Sequence, residues 1–221
     1  MFKDSAWDRW IAPILWVIFT VALFFAMCSQ SQAATVASYI PRDAYRYQAD
    51  LIREARAVYG MDAPIAMLAG QIHQESRWNR YAKSAYAAGL TQFTPDTAVW
   101  ISSTFKELGK SDVYDPRWAI RALARYDKLL YDQNKGASEC DRWAFALTGY
   151  NGGQGWNNKD KRIAKTKGLD PLRYWGQVET VNSGRRADFF KENRSYPKKI
   201  LLQHQAQYVS FSQTTTKVCI Q

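Results

Sequence analysis

Apolar residues recur at helical spacing along most of this 221-residue chain, and this pattern limits its fold more than any other feature. In residues 43–59, for example, Ala44, Leu51 and Ala55 fall on one stripe. No stretch shows the strict alternation of apolar and polar residues that indicates a half-buried strand. Because 47% of the residues are hydrophobic, the chain can bury one sizeable core. The sequence therefore predicts a single all-α domain.

Start and stop signals divide this pattern into further helices. Capping residues and prolines predict where helices start, and glycines predict where they end. One such helix opens at Asp62 and Pro64, and three more are predicted at residues 94–109, 115–135 and 138–150. The Gly- and Lys-rich residues 152–184 predict mostly loop, with a short helix near 171–178. Another helix is predicted near residues 196–207.

Glu75 is an acid at an unexpected position of the second predicted helix. Leu68, Ile72 and Glu75 follow at offsets of four and three residues, so they project from one face. The C-terminal end of a helix disfavours a carboxylate, and partial burial does the same. Both effects raise the pKa, as proton donation near neutral pH requires. The alternatives are a solvated helix end or an ion pair with Arg77 or Arg80.

Two glycine-containing segments downstream suit a polar ligand. Residues 84–95, SAYAAGLTQFTP, include the amide of Gln92, and residues 147–156, LTGYNGGQGW, place Tyr150 and Asn151 at a helix end. Glycine lets a ligand approach the backbone closely, and aromatic rings offer faces to sugar rings. A turn, a cap or a core tyrosine would explain each feature alone. Together they describe one acid among amide and aromatic groups.

An uncharged apolar run, residues 11–28, lies at the lower length limit of a membrane-spanning helix. It precedes Ser31 and Ala33, which supply the small residues of a signal-peptidase site. We interpret residues 1–33 as an export signal; the alternative is a retained anchor in the inner membrane. In either case residues 34–221 act in the periplasm or the cell envelope.

Export changes the meaning of the cysteines. Cys140 and Cys219 are the only two beyond the signal, and an oxidising compartment favours a disulfide that ties a C-terminal tail, residues 206–221, to the body. Two unpaired buried thiols are the alternative. With only His73 and His204 besides, no zinc-type ligand set exists, and we expect no metal or other cofactor.

Positive charge is concentrated in one segment. The chain has a formal charge of +10, and residues 159–199 hold twelve basic residues against five acidic ones. Such a segment attracts anions, among which nucleic acid, anionic lipid and envelope polymers all qualify as partners. Export makes nucleic acid the weakest of these. Solvated surface charge explains the segment as well as a landing face for anionic envelope polymers does.

Four short blocks occur in order along the chain: Glu75-Ser76, Gly89-Leu90-Thr91-Gln92-Phe93, Tyr150-Asn151-Gly152, and Tyr196 ahead of Ile200-Leu201. Together they resemble the soluble lytic transglycosylase domain of bacterial peptidoglycan-cleaving enzymes, which is lysozyme-like and related to goose-type lysozyme. The resemblance covers roughly residues 60–205, the predicted catalytic domain. Residues 34–59 would form a helix that leads into it.

The resemblance implies a reaction that needs one carboxylate. Glu75 would protonate the oxygen between N-acetylmuramic acid and N-acetylglucosamine. It would then accept the proton of the muramic C6 hydroxyl, which closes onto C1 as a 1,6-anhydro ring. The N-acetyl group of the substrate would replace the second carboxylate of ordinary glycosidases.

The resemblance also implies the residues that surround the sugar. Six lie at matching motif positions and would bind or orient the substrate: Ser76, Ser84, Gln92, Tyr150, Asn151 and Tyr196. The two tyrosines would flank Glu75. The chain has Gly149 where the family usually has alanine.

We therefore expect a monomeric lytic transglycosylase that acts on peptidoglycan glycan strands. A hydrolytic muramidase is the close alternative, and it would want a second acid facing Glu75. In the motif blocks only Asp96 presents itself, and helix N-terminal capping accounts for it. A non-catalytic wall-binding component is a third possibility. Phage lysis, phage entry and local wall opening for an envelope machine remain open as settings.

Overall fold

The computed structural model describes residues 39–212 and 218–219, so the predicted export segment lies outside the described residues. Within the described ranges the regular elements are helices, accompanied by isolated β-bridges from Lys83 to Ala88 and from Ala88 to Phe93. This confirms the predicted all-α fold. None of the described helices combines the length and the hydropathy that a membrane span requires.

The first two helices follow the predicted apolar pattern. Helix α1 spans Arg42–Tyr59 and buries one stripe that includes Leu51 and Ala55. Helix α2 spans Ile65–Ser76, and its residues from Ile65 to Ile72 are all buried. Because α2 is surrounded by protein for most of its length, its C-terminal end is held in a fixed position.

The next three helices begin at the predicted caps. They are α3 (Pro95–Thr104), α4 (Pro116–Gln133) and α5 (Glu139–Gly152). In each case a side-chain oxygen, from Thr94, Asp115 or Ser138, accepts a backbone N–H of the first turn. These bonds satisfy donors that the helix itself leaves free. A 3₁₀ turn at Lys106–Leu108 follows α3.

The predicted loop over residues 152–184 is wrong in its first part. Gly153, at φ 88°, separates α5 from a further helix, α6, which spans Gln154–Thr166. The buried stripe of α6 consists of Asn157, Asp160 and Ala164. Two of these residues are polar, so the stripe does not stand out as an apolar pattern.

The short helix predicted near residues 171–178 is also wrong. The chain forms turns there, and only a 3₁₀ turn at Val178–Thr180 follows. The backbone N–H groups of Tyr174 and Trp175 donate to the Asp141 carboxylate, at 2.8 Å and 3.4 Å. These bonds to a side chain replace the internal bonds of a helix.

The last helix begins earlier than predicted. Helix α7 spans Ala187–Lys199 and continues through a π-helical turn, Ile200–His204, into the short helix α8, Gln205–Gln207. Pro197 lies inside α7, although proline is more typical of the first turn of a helix. Proline also removes one internal hydrogen bond, and irregular turns commonly follow such a loss.

The residues directly after α8 pack into the core. Tyr208 and Phe211 are buried, and both rings contact the fully buried Trp78. The indole N–H of Trp78 donates to the Tyr208 hydroxyl at 2.8 Å. Farther on, Cys219 forms a disulfide with Cys140, with 2.00 Å between the sulfur atoms.

The helices pack in a chain of pairwise contacts. Helix α1 packs on α4, α4 on α5, and α5 on both α6 and α7. Helix α2 packs against α1, the π-helical turn and α8. The C-terminal end of α2, with Glu75, is thus brought close to the ends of α5 and α7.

Candidate active site

A cleft of about 780 Å³ opens at the C-terminal end of α2. Its walls come from α2, the 84–97 segment, the junction of α5 and α6, and α7. Of the seven predicted site residues, six line it: Glu75, Ser84, Gln92, Tyr150, Asn151 and Tyr196. Ser76 does not, because its hydroxyl donates to the Ile72 carbonyl at 3.3 Å on its own helix.

Glu75 is fixed by the way α2 ends. The next residues, Arg77 and Trp78, take left-handed backbone angles of φ 51° and 68°, which non-glycine residues seldom adopt. The buried Trp78 ring anchors this turn in the core. The chain therefore leaves the helix directly after Ser76, and the carboxyl group of Glu75, in the last turn, lines the cleft.

The environment of Glu75 favours its neutral form. Burial is the largest cause, and it raises the pKa of Glu75 to about 8. The negative charge of Glu192 acts in the same direction, whereas a hydrogen bond from the Tyr196 hydroxyl to the carboxylate opposes it. The acid thus holds its proton at neutral pH.

Two parallel tyrosine rings stand beside the acid. The rings of Tyr150 and Tyr196 lie 6.3 Å apart at an interplanar angle of 8°. The Tyr196 hydroxyl donates to Glu75, and the Tyr150 hydroxyl donates to the Thr91 carbonyl at 2.8 Å. Burial and then the charge of Glu75 raise the pKa of both phenols well above the ordinary value, so both remain donors.

Gln92 and Ser84 hold the loop on the opposite wall. The Gln92 side-chain amide donates to the Ala82 and Gly89 carbonyls, at 3.1 Å and 2.9 Å. The Ser84 hydroxyl accepts the N–H of Ala87 at 3.0 Å. Gly89, at φ 80°, lies so close to the Val113 carbonyl that an added Cβ would be 1.8 Å from its oxygen. Both polar side chains therefore shape the wall as well as line it.

Asn151 connects the end of α5 to α7. The Asn193 amide donates to the Asn151 side-chain oxygen at 3.0 Å and to the Thr148 carbonyl at 2.9 Å. A Cβ on Gly152 would lie 2.5 Å from the Asn193 amide nitrogen, so glycine leaves the space that this bond needs. The Asn151 amide in turn donates to Glu192 at 3.4 Å.

The structure adds cleft residues that the sequence reasoning missed. They lie at the start of α6 and on α7 or just before it: Trp156, Arg186, Phe189, Glu192 and Asn193. Glu192 precedes Tyr196 by four residues, a spacing that puts both on one helix face. That signal was in the sequence, but it required a helix that begins before residue 196. Asp96 lines a neighbouring groove instead of the cleft.

A buried polar pair lies one helical turn before Glu75. The Gln71 amide donates to the Asp127 carboxyl at 3.2 Å, and both residues are buried. Burial raises the pKa of Asp127 well above its ordinary value, and the charge of Glu75 adds to this effect. Among the described residues no cluster of three or more His, Cys, Asp or Glu side chains is arranged to hold a metal ion.

Several basic residues of the 159–199 segment have structural partners. The Lys161 ammonium group donates to Asn134 at 2.8 Å, and burial lowers its pKa to about 8. Arg185 and Arg194 both pair with the buried Asp160. Arg162 and Lys165 on α6 are exposed, as is Lys159. The segment therefore combines an internal ion network with an exposed basic face.

Comparison with known proteins identifies related sequences and folds. A family model described as Transglycosylase SLT domain matches residues 50–172, which is more than half of the chain and ends before Tyr196. Membrane-bound lytic murein transglycosylase F of Thiobacillus denitrificans is 36% identical over 129 residues, covering 58% of this chain and 25% of that protein. The protein of the same name from Vibrio cholerae is 33% identical over 138 residues, covering 62% and 25%. The chain thus spans about a quarter of the length of these relatives.

Solved structures show the same fold. The 70 kDa soluble lytic transglycosylase from Escherichia coli superposes with a TM-score of 0.55 at 24% identity, covering 79% of this chain and 26% of that chain. A complex of the 70 kDa enzyme with bulgecin A gives a TM-score of 0.54 at the same identity. At this identity the likeness establishes the fold.

Proposed function

The chain belongs to the transglycosylase SLT domain family, and we propose that it is a lytic transglycosylase that cleaves the glycan strands of peptidoglycan. The observation that carries the proposal is that burial raises the pKa of one carboxylic acid, Glu75, to about 8 in a cleft of about 780 Å³. That volume lies in the range of about 300–1,000 Å³ that is usual for ligand sites. The names of the curated relatives agree with this activity.

In the first step Glu75 acts as general acid. The bond between C1 of N-acetylmuramic acid and O4 of N-acetylglucosamine breaks, its electron pair stays on the oxygen, and the Glu75 proton moves to that oxygen. An acid with a pKa of about 8 is largely protonated at neutral pH and is still acidic enough to donate. The Tyr196 hydroxyl, which donates to the carboxyl group, stabilises the negative charge that then develops.

In the second step the same residue acts as general base. The C6 hydroxyl oxygen bonds to C1, and its proton moves to the Glu75 carboxylate. Glu75 is thereby restored, and the product ends in 1,6-anhydromuramic acid. No water enters the reaction, so one carboxyl group suffices.

A hydrolytic muramidase is the second candidate, because Glu192 also lines the cleft and its negative charge raises the pKa of Glu75. In a hydrolase a second carboxylate would assist water or stabilise the developing cation. The two candidates differ in their products. A transglycosylase releases anhydro ends, and a hydrolase releases reducing ends that are heavier by one water.

The decisive experiment is mass spectrometry of the fragments that the protein releases from purified peptidoglycan. We expect anhydro ends from the native protein and from Glu192→Gln, and none from Glu75→Gln. Reducing ends that disappear with Glu192→Gln would establish the hydrolase. No products from the native protein, together with retained wall binding, would favour a non-catalytic binding role.

We further propose that the protein works in the cell envelope, where its substrate is found. The exposed basic face of α6, formed by Lys159, Arg162 and Lys165, would hold the protein against anionic envelope polymers. Its test is the double change of Arg162 and Lys165 to glutamate. Lys161 stays because it is structural, and Lys159 stays because its ammonium group lies 4.4 Å from the ring centre of the cleft residue Trp156. We expect weaker binding to isolated cell wall, with unchanged rates on short soluble fragments. Unchanged binding would reduce the segment to solvated surface charge.

A further inference from the structure

A second groove, of about 430 Å³, adjoins the cleft. The two share Thr97 on α3 and Tyr126 on α4 in their linings, so they lie side by side. The other residues that line the groove are Asp96, Trp100, Leu129, Leu130, Gln133 and Gln154. Nothing in the two reaction steps above uses them.

A row of aromatic rings leads from Glu75 into this groove. The row runs from Tyr196, beside Glu75, through Tyr150 and Tyr126 to Trp100. Successive ring centroids lie 6.3 Å, 5.4 Å and 5.8 Å apart. Trp100 ends the row with 46% of its surface exposed. A large aromatic side chain left in water at the end of a binding cleft offers its face to a ligand that has an apolar side. Sugar rings present such a side.

Gln154, another residue that lines the groove, is held in place by amide hydrogen bonds. The Gln154 amide donates to Asn134 at 3.1 Å and to Asn158 at 3.0 Å, and its oxygen accepts from Asn134 at 3.0 Å. Gly149 makes room for this arrangement, because an added Cβ would lie 2.5 Å from the Gln154 side-chain oxygen. Asp96 and Gln133 add exposed polar side chains to the lining. An aromatic face beside such polar groups suits a sugar, which has apolar faces and a polar rim.

We propose that this groove, defined by Trp100, Gln133 and Gln154, binds further sugar units of the strand that is cleaved at Glu75. The proposal rests on the proposed function and deepens it. A strand held in both the cleft and the groove is gripped well away from the cleaved bond. The protein would therefore favour long strands and cut within them.

The test compares Trp100→Ala with Val99→Ala, a matched change on the same helix at a residue that is 62% exposed and does not line the groove. Binding is measured by calorimetry in the Glu75→Gln background, with tetrasaccharide and dodecasaccharide glycan strands. We expect Trp100→Ala to weaken dodecasaccharide binding about tenfold, a usual loss for a well-placed aromatic contact, and to leave tetrasaccharide binding unchanged. Val99→Ala should change neither.

Gly149→Ala provides a second variant, because it displaces the Gln154 amide and leaves Trp100 in place. It should also weaken dodecasaccharide binding selectively. Equal affinities for both strand lengths in the parent, or equal losses for both lengths in Trp100→Ala, would overturn the proposal. This assay measures binding and is therefore independent of the reaction. If the protein binds long strands more tightly but releases no anhydro products, the proposed activity is wrong and the proposed role of the groove is retained.

Discussion

The pH dependence of the proposed reaction tests the assignment of Glu75 most directly. Glu75 donates its proton only in the neutral form, so kcat/KM should fall as the pH rises through its pKa of about 8. At pH 7 a group with this pKa is about nine-tenths neutral. A glutamate with the ordinary value of 4.5 would be neutral in about one molecule in 300. Burial therefore increases the working form by more than two orders of magnitude.

Two substitutions should move this alkaline limb in opposite directions. Tyr196→Phe removes a hydrogen bond that stabilises the Glu75 carboxylate, so the pKa should rise. A hydrogen bond to a charged group contributes about 1.5–3 kcal/mol, which corresponds to about one to two pH units. Glu192→Gln removes a negative charge that raises the pKa, so the limb should move to lower pH. Because Glu192 is exposed and screened by salt, we expect a shift of less than about one unit.

The assay is kcat/KM on soluble glycan fragments from pH 5 to pH 10, with Asp43→Asn as a control. Asp43 is exposed on α1 and does not line the cleft, so its removal should leave the limb in place. The reasoning fails if Tyr196→Phe and Glu192→Gln shift the limb in the same direction. It also fails if the native protein shows no alkaline limb near pH 8.

Three stability measurements follow from the same contacts. Glu75→Gln should raise the melting temperature at pH 9 and leave it unchanged at pH 4. The reason is that a carboxyl group whose pKa is higher in the folded than in the unfolded protein lowers stability only above the unfolded pKa. Calorimetry that finds the native protein more stable than the variant at pH 9 would contradict this. Replacing both Cys140 and Cys219 by serine should lower the free energy of unfolding, measured in urea, by about 4 kcal/mol, because the disulfide joins residues 79 positions apart. Turnover at 25 °C should stay intact. An unchanged unfolding midpoint would contradict the prediction. The pKa of His73 is lowered to about 4, chiefly by burial and then by His204, so stability should fall as the pH drops from 6.5 toward 4. His73→Gln should flatten that decline, and an equally steep one would rule out His73 as its source.

The sequence predicts the helices whose buried faces are apolar. Helices α1 to α5 each combine apolar residues with start or stop signals, and the structure has all five. Their bounds lie within a few residues of the prediction except at the end of α3, which stops at Thr104 and is followed by a 3₁₀ turn before Gly109. Helix α6 was not predicted, because its buried face carries the polar residues Asn157 and Asp160. Helix α7 begins at Ala187, nine residues before the predicted start near residue 196, and it contains a proline, Pro197, which is unusual inside a helix.

The candidate site divides in the same way. The position of Glu75 follows from local spacing on α2, and its raised pKa follows from burial, both of which the sequence suggests. The direction of individual side chains does not follow from spacing. Ser76 bonds to its own helix, and Gln92 uses its amide nitrogen on the loop backbone. Glu192 was missed because it lies on the part of α7 that precedes the predicted helix near residues 196–207.

The polar buried stripe of α6, because of which the sequence did not predict this helix, also fixes the position of α7 at the wall of the cleft. Asp160 on α6 pairs with Arg185 before α7 and with Arg194 within it, and Arg194 also donates to the Val181 carbonyl at 2.8 Å. An apolar stripe would hold α6 against the body equally well, but it would not fix the direction of α7. Directional bonds to a buried charge do so, and α7 carries the Tyr196 hydroxyl that contacts Glu75. The departure from apolar periodicity therefore lies where the proposed chemistry needs geometry more than burial, as is expected of sites that trade local consistency for function.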